Sequence, residues 1–253
     1  RDAFETQFDE LLKLRHTIAR QSGFTNYRDY TFRARGRFDY TPADCEAFHD
    51  AIAEEVVPLL KELQAERRGQ LGLAALRPWD LAVDPLGRPP LRPFEEVERL
   101  VAGSMAVFER LDDELAADFR RMHELRLLDL ENRKGKAPGG YQSSLPEARL
   151  PFIFMNAVGQ QRDVETILHE AGHAFHTLAT QREDFYPYRD APIEFCEVAS
   201  MSMELLAAPY LTKEQGGFYT AEEAARARIE HLESLITFWP YMAVVDAFQH
   251  WVY

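Results

Sequence analysis

Residues 169–173 read His-Glu-Ala-Gly-His inside a helical run that also holds Val164, Ile167, Leu168, Phe175 and Leu178. Nothing else in the chain restricts its fold as tightly. Positions i and i+4 of a helix share one face, so His169 and His173 can reach one metal ion if the stretch is α-helical, with Glu170 beside that face. The spacing alone is weak evidence, because eight His in 253 residues give a chance match of roughly 4% in a chain of this length. A metzincin would continue as HxxGxxH. Here His176 stands at the glycine position and Ala179 at the third histidine, which excludes that class.

A zinc site of the other kind takes its third protein ligand from a Glu on a following helix and leaves the fourth position to water. Glu197 lies on such a stretch. Asp190 is placed to cap it, with Pro192 in the first turn. From Ile193 to Leu206 nearly every face carries apolar residues, among them Phe195, Val198 and Met201, which predicts a helix buried all round. Glu197 and Glu204 on such a helix are costly unless paired or bound to a cation. The reading that resolves this makes Glu197 a zinc ligand and Glu204 a partner to a ligating imidazole. Zinc lowers the pKa of its water to about 7, and Glu170, adjacent but not bound, is the candidate general base for amide hydrolysis.

Around this motif the periodicity is mainly helical. Thr41-Pro42-Ala43-Asp44 reads as an N-cap, a first-position proline and an acidic first turn. A helix to about Gly69 follows, with Phe48, Ile52, Val56, Leu59 and Leu63 as its core-facing stripe. Prolines 78, 85, 89, 90 and 93 mark a connector, which suggests a helical region over 1–93 and a catalytic region over 94–253. Residues 94–130 read as helix, and Lys134–Tyr141, with three glycines and a proline, as a flexible basic loop. Phe152-Ile-Phe-Met155 is the strongest strand signal. Helices resume from Asp163, with breaks near prolines 187, 192, 209 and 240 and at Gly216-Gly217.

Composition narrows the function classes. A net charge of −13 repels phosphate backbones and anionic lipid, so nucleic acid and membrane are not the expected partners. Cys45 and Cys196 are too few for a disulfide framework and form no CxxC pair, which fits a reducing cytoplasm. The chain opens on Arg1, already inside the helical pattern of Phe4, Phe8, Leu11, Leu12 and Ile18, and stops on Trp251-Val252-Tyr253. The expectation is a segment of a longer protein.

These residues resemble the zinc oligopeptidase family of oligoendopeptidase F and thimet oligopeptidase, and the oligoendopeptidase F branch in particular. The resemblance is carried by Leu168-His-Glu-Ala-Gly-His-Ala-Phe-His176 and Glu194-Phe-Cys-Glu-Val-Ala-Ser200. Upstream it includes Lys134-Gly-Lys-Ala-Pro-Gly-Gly-Tyr141 and Pro151-Phe-Ile-Phe-Met-Asn156. It implies a mainly α, zincin-type helical peptidase region with a small edge-strand sheet beside the HExxH helix. It also implies one zinc per chain on His169, His173 and Glu197, with Glu170 as base, acting on short peptides in the cytoplasm. Phe152, Ile153, Phe154, Met155 and Asn156 would form the edge strand that pairs with substrate backbone.

Members of that family continue to a His and a Tyr-rich segment that stabilise the tetrahedral intermediate. No counterpart precedes Tyr253, and His231, Tyr241 and His250 lack the motif context to replace it.

Several alternatives stay open at this point. His176 fits packing or support of the site better than a further ligand, since the four-coordinate site is already complete. Gly139, Gly140 and Tyr141 belong either to a solvated connector or to a mobile cover over substrate. The site as a whole reads as a zinc endopeptidase. A zinc exopeptidase of similar build and a catalytically inactive zinc- or peptide-binding fragment are the competing readings.

Overall fold

The computed structural model describes residues 2–253, and the chain divides into two compact units. One comprises residues up to Leu86 together with His231–Tyr253, and the other is Gly87–Glu230. The division falls within the proline-rich connector, at 86/87 rather than at 93, and the last 23 residues group with the first unit rather than with the catalytic region.

In the first unit, α1 (Asp2–Gln21) and α2 (Tyr27–Ala34) precede α3 (Pro42–Ala51), which passes through a π-turn at Ile52–Val56 into α4 (Val57–Gln70). Thr41 caps α3 as the sequence indicates: its hydroxyl accepts from the Asp44 N–H, and the Asp44 carboxylate accepts from the Thr41 N–H at 2.7 Å. The expected core stripe is only partly buried. Ile52 is covered, whereas Phe48 and Leu59 are exposed; the extra residue of the π-turn shifts the apolar positions that follow it, Leu59 among them, around the axis.

The second unit contains α5 (Val97–Leu111) and α6 (Asp113–Glu124), then β1 (Leu128–Glu131), β2 (Tyr141–Leu145) and β3 (Leu150–Ala157). After the sheet come α7 (Gln161–Thr180) and α8 (Cys196–Ala207). The helical pattern read over 94–130 breaks at Asp112, whose extended backbone lets its carboxylate accept from the Glu114 and Leu115 N–H groups and start a new helix. The core joins Phe108, Phe119 and Phe175, with ring centroids 4.9 and 5.0 Å apart, to Ile153 and Met155 of β3 and Ile167 and Leu168 of α7.

The last helix, α9 (Ala221–Val252), runs through Pro240 instead of breaking there. A single proline removes one hydrogen bond, and the intact turns on either side carry the helix past it.

Strand order is β1-β3-β2, with β3 parallel to β1 and antiparallel to β2. This corrects the expectation that Phe152–Asn156 is an edge strand, because both of its edges are taken. Its near-continuous apolar character is that of a central strand buried on one face, with Ile153 and Met155 in the core. The edge strands of this sheet are β1 and β2.

The Lys134–Tyr141 loop is also pinned rather than free. The Lys136 ammonium, on a side chain only 1% exposed, donates to the Asp129 and Glu131 carbonyls at 3.0 and 2.7 Å and to Asp129 Oδ1 at 3.1 Å. It also lies 4.5 Å from the centroid of the Phe154 ring. Asn156 Nδ2 donates to the carbonyls of Ala137 and Gly139.

Lys136→Met leaves those carbonyls short of a donor and should cost about 1–3 kcal/mol in chemical denaturation, while Lys134→Met should change little. Hydrogen bonding from Arg133 and then Lys136 holds the Asp129 carboxyl at about 2, below the ordinary 3.8. Its share of stability is therefore whole above the unfolded value and is lost as pH falls toward 2.

Candidate metal centre

In the first turn of helix α7, Asp163 Oδ2 accepts from the Val158 and Gln160 N–H groups, both at 2.8 Å. One side of the helix, through Val164, Ile167, Leu168, Ala171 and Phe175, is buried in the core. That burial fixes the rotation of the helix and turns His169 and His173 to the opposite side, rings 4.8 Å apart and nearly perpendicular.

The third donor arrives through a close helix crossing at Gly172. A Cβ there would lie 2.6 Å from the Ala199 carbonyl oxygen and 2.6 Å from Ser200 Cα, so only glycine lets the backbones of α7 and α8 approach this closely. Glu197, on the first turn of α8, is carried to the histidine pair. Its Oε2 is 3.0 Å from His169 Nε2 and 3.4 Å from His173 Nε2.

One atom from each of His169, His173 and Glu197 lies within 4.8 Å of the other two. A tetrahedral zinc ion bound at its usual 2.0–2.1 Å separates its N and O donors by roughly 3.3 Å. Donor chemistry and spacing both fit that ion.

The surrounding groups orient these donors. His169 Nδ1 donates to Glu204 Oε1 at 2.6 Å, which leaves Nε2 free to face the centre. Burial lowers the His169 pKa, but the hydrogen bond and charge of Glu204, with Glu170 and Glu197 behind it, outweigh burial and raise it overall. Burial holds the His173 pKa below its ordinary value, and its ring hydrogen-bonds the Cys196 backbone. Ser200 Oγ donates to Glu197 Oε2 at 2.9 Å. Glu170 is 7% exposed. Its burial pushes the carboxyl up, while the charge of His169 and a hydrogen bond from the Gln142 backbone on β2 pull in the other direction.

Two expectations about α8 change. The helix is not capped by Asp190. It opens as a 3-10 turn at Ile193–Phe195 without a side-chain cap. Nor is it buried all round: Ser200, Met203 and Ala207 are buried, whereas Ile193, Phe195, Val198, Leu205 and Leu206 are exposed, and the Glu197 side chain is 56% exposed. Small residues dominate the packed side, so a narrow strip of α8 is enough to make the contact.

His176 is not part of the donor triad. With His173 it lines a cleft of about 180 Å³ whose other walls include Gln142, Ser144, Thr177, Tyr186 and Cys196. The Ile153 and Met155 side chains are buried in the core, and the Asn156 amide is committed to the loop carbonyls. Phe154 stacks on Tyr141 at 4.9 Å, and Phe152 is half-buried. Gly139 and Gly140 lead into β2, with Gly139 in the left-handed region at φ 99°. Gln142 and Gly172 were missed as site residues. A glycine inside an otherwise good helix is the one sequence signal that could have drawn attention to Gly172.

Comparison with known proteins places this geometry among peptidases. The model of peptidase family M3 matches residues 2–253. The chain is 27% identical over 223 residues to oligopeptidase PepF of Bacillus subtilis, covering 83% of this chain and 32% of that protein. To the chromosomal oligoendopeptidase F of Lactococcus lactis it is 25% identical over 226 residues, covering 84% and 36%. The structure of PZ peptidase A with an inhibitor superposes with a TM-score of 0.88 at 33% identity, over 100% of this chain and 44% of that one. The chain thus spans about a third of the length of these curated relatives.

Proposed function

The chain belongs to peptidase family M3, and from that premise we propose that it forms the metal-binding part of a zinc-dependent endopeptidase acting on internal amide bonds of short, unstructured peptides. The observation that carries the proposal is the convergence of His169, His173 and Glu197 on one point. Relatives named oligopeptidase and oligoendopeptidase support short substrates and internal cuts.

Zinc, when held by these three side chains, supplies Lewis acidity that polarises a carbonyl oxygen and lets water attack near neutral pH. The chain's own groups do the rest. Glu170 takes the proton from the attacking water and delivers it to the leaving nitrogen, and its burial, which raises the pKa above the ordinary carboxylate value, makes it a better proton acceptor. The Gln142 N–H aims that carboxylate from β2. Glu204 fixes the His169 ring through Nδ1. A peptide in extended form can add to the open edge of β2, where Gln142 and Ser144 already line the cleft beside His173.

Mass spectrometry of short peptides incubated with the protein at its natural length should find internal cuts that a chelator abolishes. Trimming from one terminus alone would support the zinc exopeptidase reading. Zinc uptake without any cleavage would support a non-catalytic binding role.

A further inference from the structure

A second group of ligand-type side chains lies within the first unit, outside the site described above. Cys45, Asp246 and His250 each bring one donor atom within 4.8 Å of the other two. Cys45 and His49 are one turn apart on α3, and Asp246 and His250 are one turn apart on α9, so the cluster is built from two i,i+4 pairs. His49 Nε2 donates to Asp246 Oδ2 at 2.8 Å. His250 Nε2 lies 3.5 Å from that same oxygen, and the two rings meet edge to face at 5.8 Å.

His250 is the informative member. Its side chain is 10% exposed, its Nδ1 is buried with no hydrogen-bond partner, and its Nε2 faces an oxygen that His49 already engages. A buried imidazole with one nitrogen unsatisfied calls for an explanation, and an unseen ion is one of the standard ones. Burial, and after it the Asp246 charge, hold the Cys45 thiol above its ordinary pKa; Arg37 opposes this and Asp44 adds to it. The thiol is thus not an activated nucleophile. A divalent cation reverses the situation by turning the carboxylate from a repelling neighbour into a fellow ligand.

We propose that Cys45, Asp246 and His250 bind a divalent metal ion of the zinc class, with His49 orienting the Asp246 carboxylate. Thiolate, carboxylate and neutral imidazole together carry two negative charges, matching the ion. The mixed sulfur, oxygen and nitrogen set suits zinc with water in the fourth position. Binding releases the Cys45 thiol proton to solvent. The ion would clamp α3 to α9 and play no part in peptide hydrolysis.

The test uses the protein at its natural length, stripped of metal and reloaded with Co2+. The triad of His169, His173 and Glu197 contains no sulfur, so a thiolate-to-cobalt absorption band in the near ultraviolet reports this second site alone. The expected result is a band in the wild type, in Cys196→Ser and in His169→Ala, and its loss in Cys45→Ser, which keeps wild-type peptide hydrolysis. Should Cys45→Ser not fold, thiol titration of the wild type decides: Zn2+ should protect Cys45 from a disulfide reagent. Absence of the band together with equal Cys45 reactivity with and without Zn2+ overturns the proposal, as does a band that survives in Cys45→Ser. Retention of the band in His169→Ala makes failure here distinguishable from failure at the first centre.

Discussion

Replacing Glu170 by Gln should lower peptide hydrolysis by roughly 10²–10⁴-fold while leaving bound zinc in place. The substitution keeps shape and an acceptor oxygen for the Gln142 backbone donor but removes the ability to take a proton. Zinc should stay because Glu170 is not among the three convergent donors. The environment also argues that the carboxylate is placed for proton transfer, since burial raises its pKa above the ordinary carboxylate value. Paired steady-state kinetics and metal analysis check this. Full activity in the variant removes Glu170 from the mechanism, and loss of zinc along with activity makes its role structural.

The second large effect is expected at a residue that performs no chemistry. Gly172→Ala places a methyl group 2.6 Å from two backbone atoms of α8, against ordinary carbon contacts of about 3.5–4.0 Å, so the helices must separate by about 1 Å. Overpacking of this kind costs about 1–3 kcal/mol, and the improved helix propensity of Ala returns up to about 1 kcal/mol. Stability should therefore fall modestly. Zinc affinity should fall further, by about tenfold or more, because α8 carries Glu197 away from His169 and His173 as it moves. Thermal melting and competitive zinc titration measure the two separately. Unchanged affinity with an unchanged melting temperature would mean that α7 and α8 do not cross at this residue.

The HExxH helix is legible in the sequence because two constraints coincide there: i,i+4 spacing of the histidines and an apolar stripe that buries the other side. Thr41 with Asp44 is legible for a similar reason, since a capping box is a local interaction between residues three apart. What escaped reading is non-local. β1 has no β-branched residue in Leu128–Glu131 and becomes a strand by pairing with β3. The edge strand β2, Tyr141–Leu145, is polar and mostly exposed, so strand order could not be inferred from apolar runs. The same limit applies to α8. Apolar residues on every side suggest burial, yet coverage depends on what packs there, and α7 covers one narrow side.

The central claim is that His169, His173 and Glu197 hold the zinc on which hydrolysis depends. Its most direct measurement compares zinc content per chain and peptide hydrolysis for the wild type and His169→Ala, both at natural length and dialysed against the same metal-buffered solution. The variant is expected to carry one zinc fewer per chain and to cleave no peptide. Equal zinc content in the two proteins, or hydrolysis that persists after that ion is lost, would contradict the account.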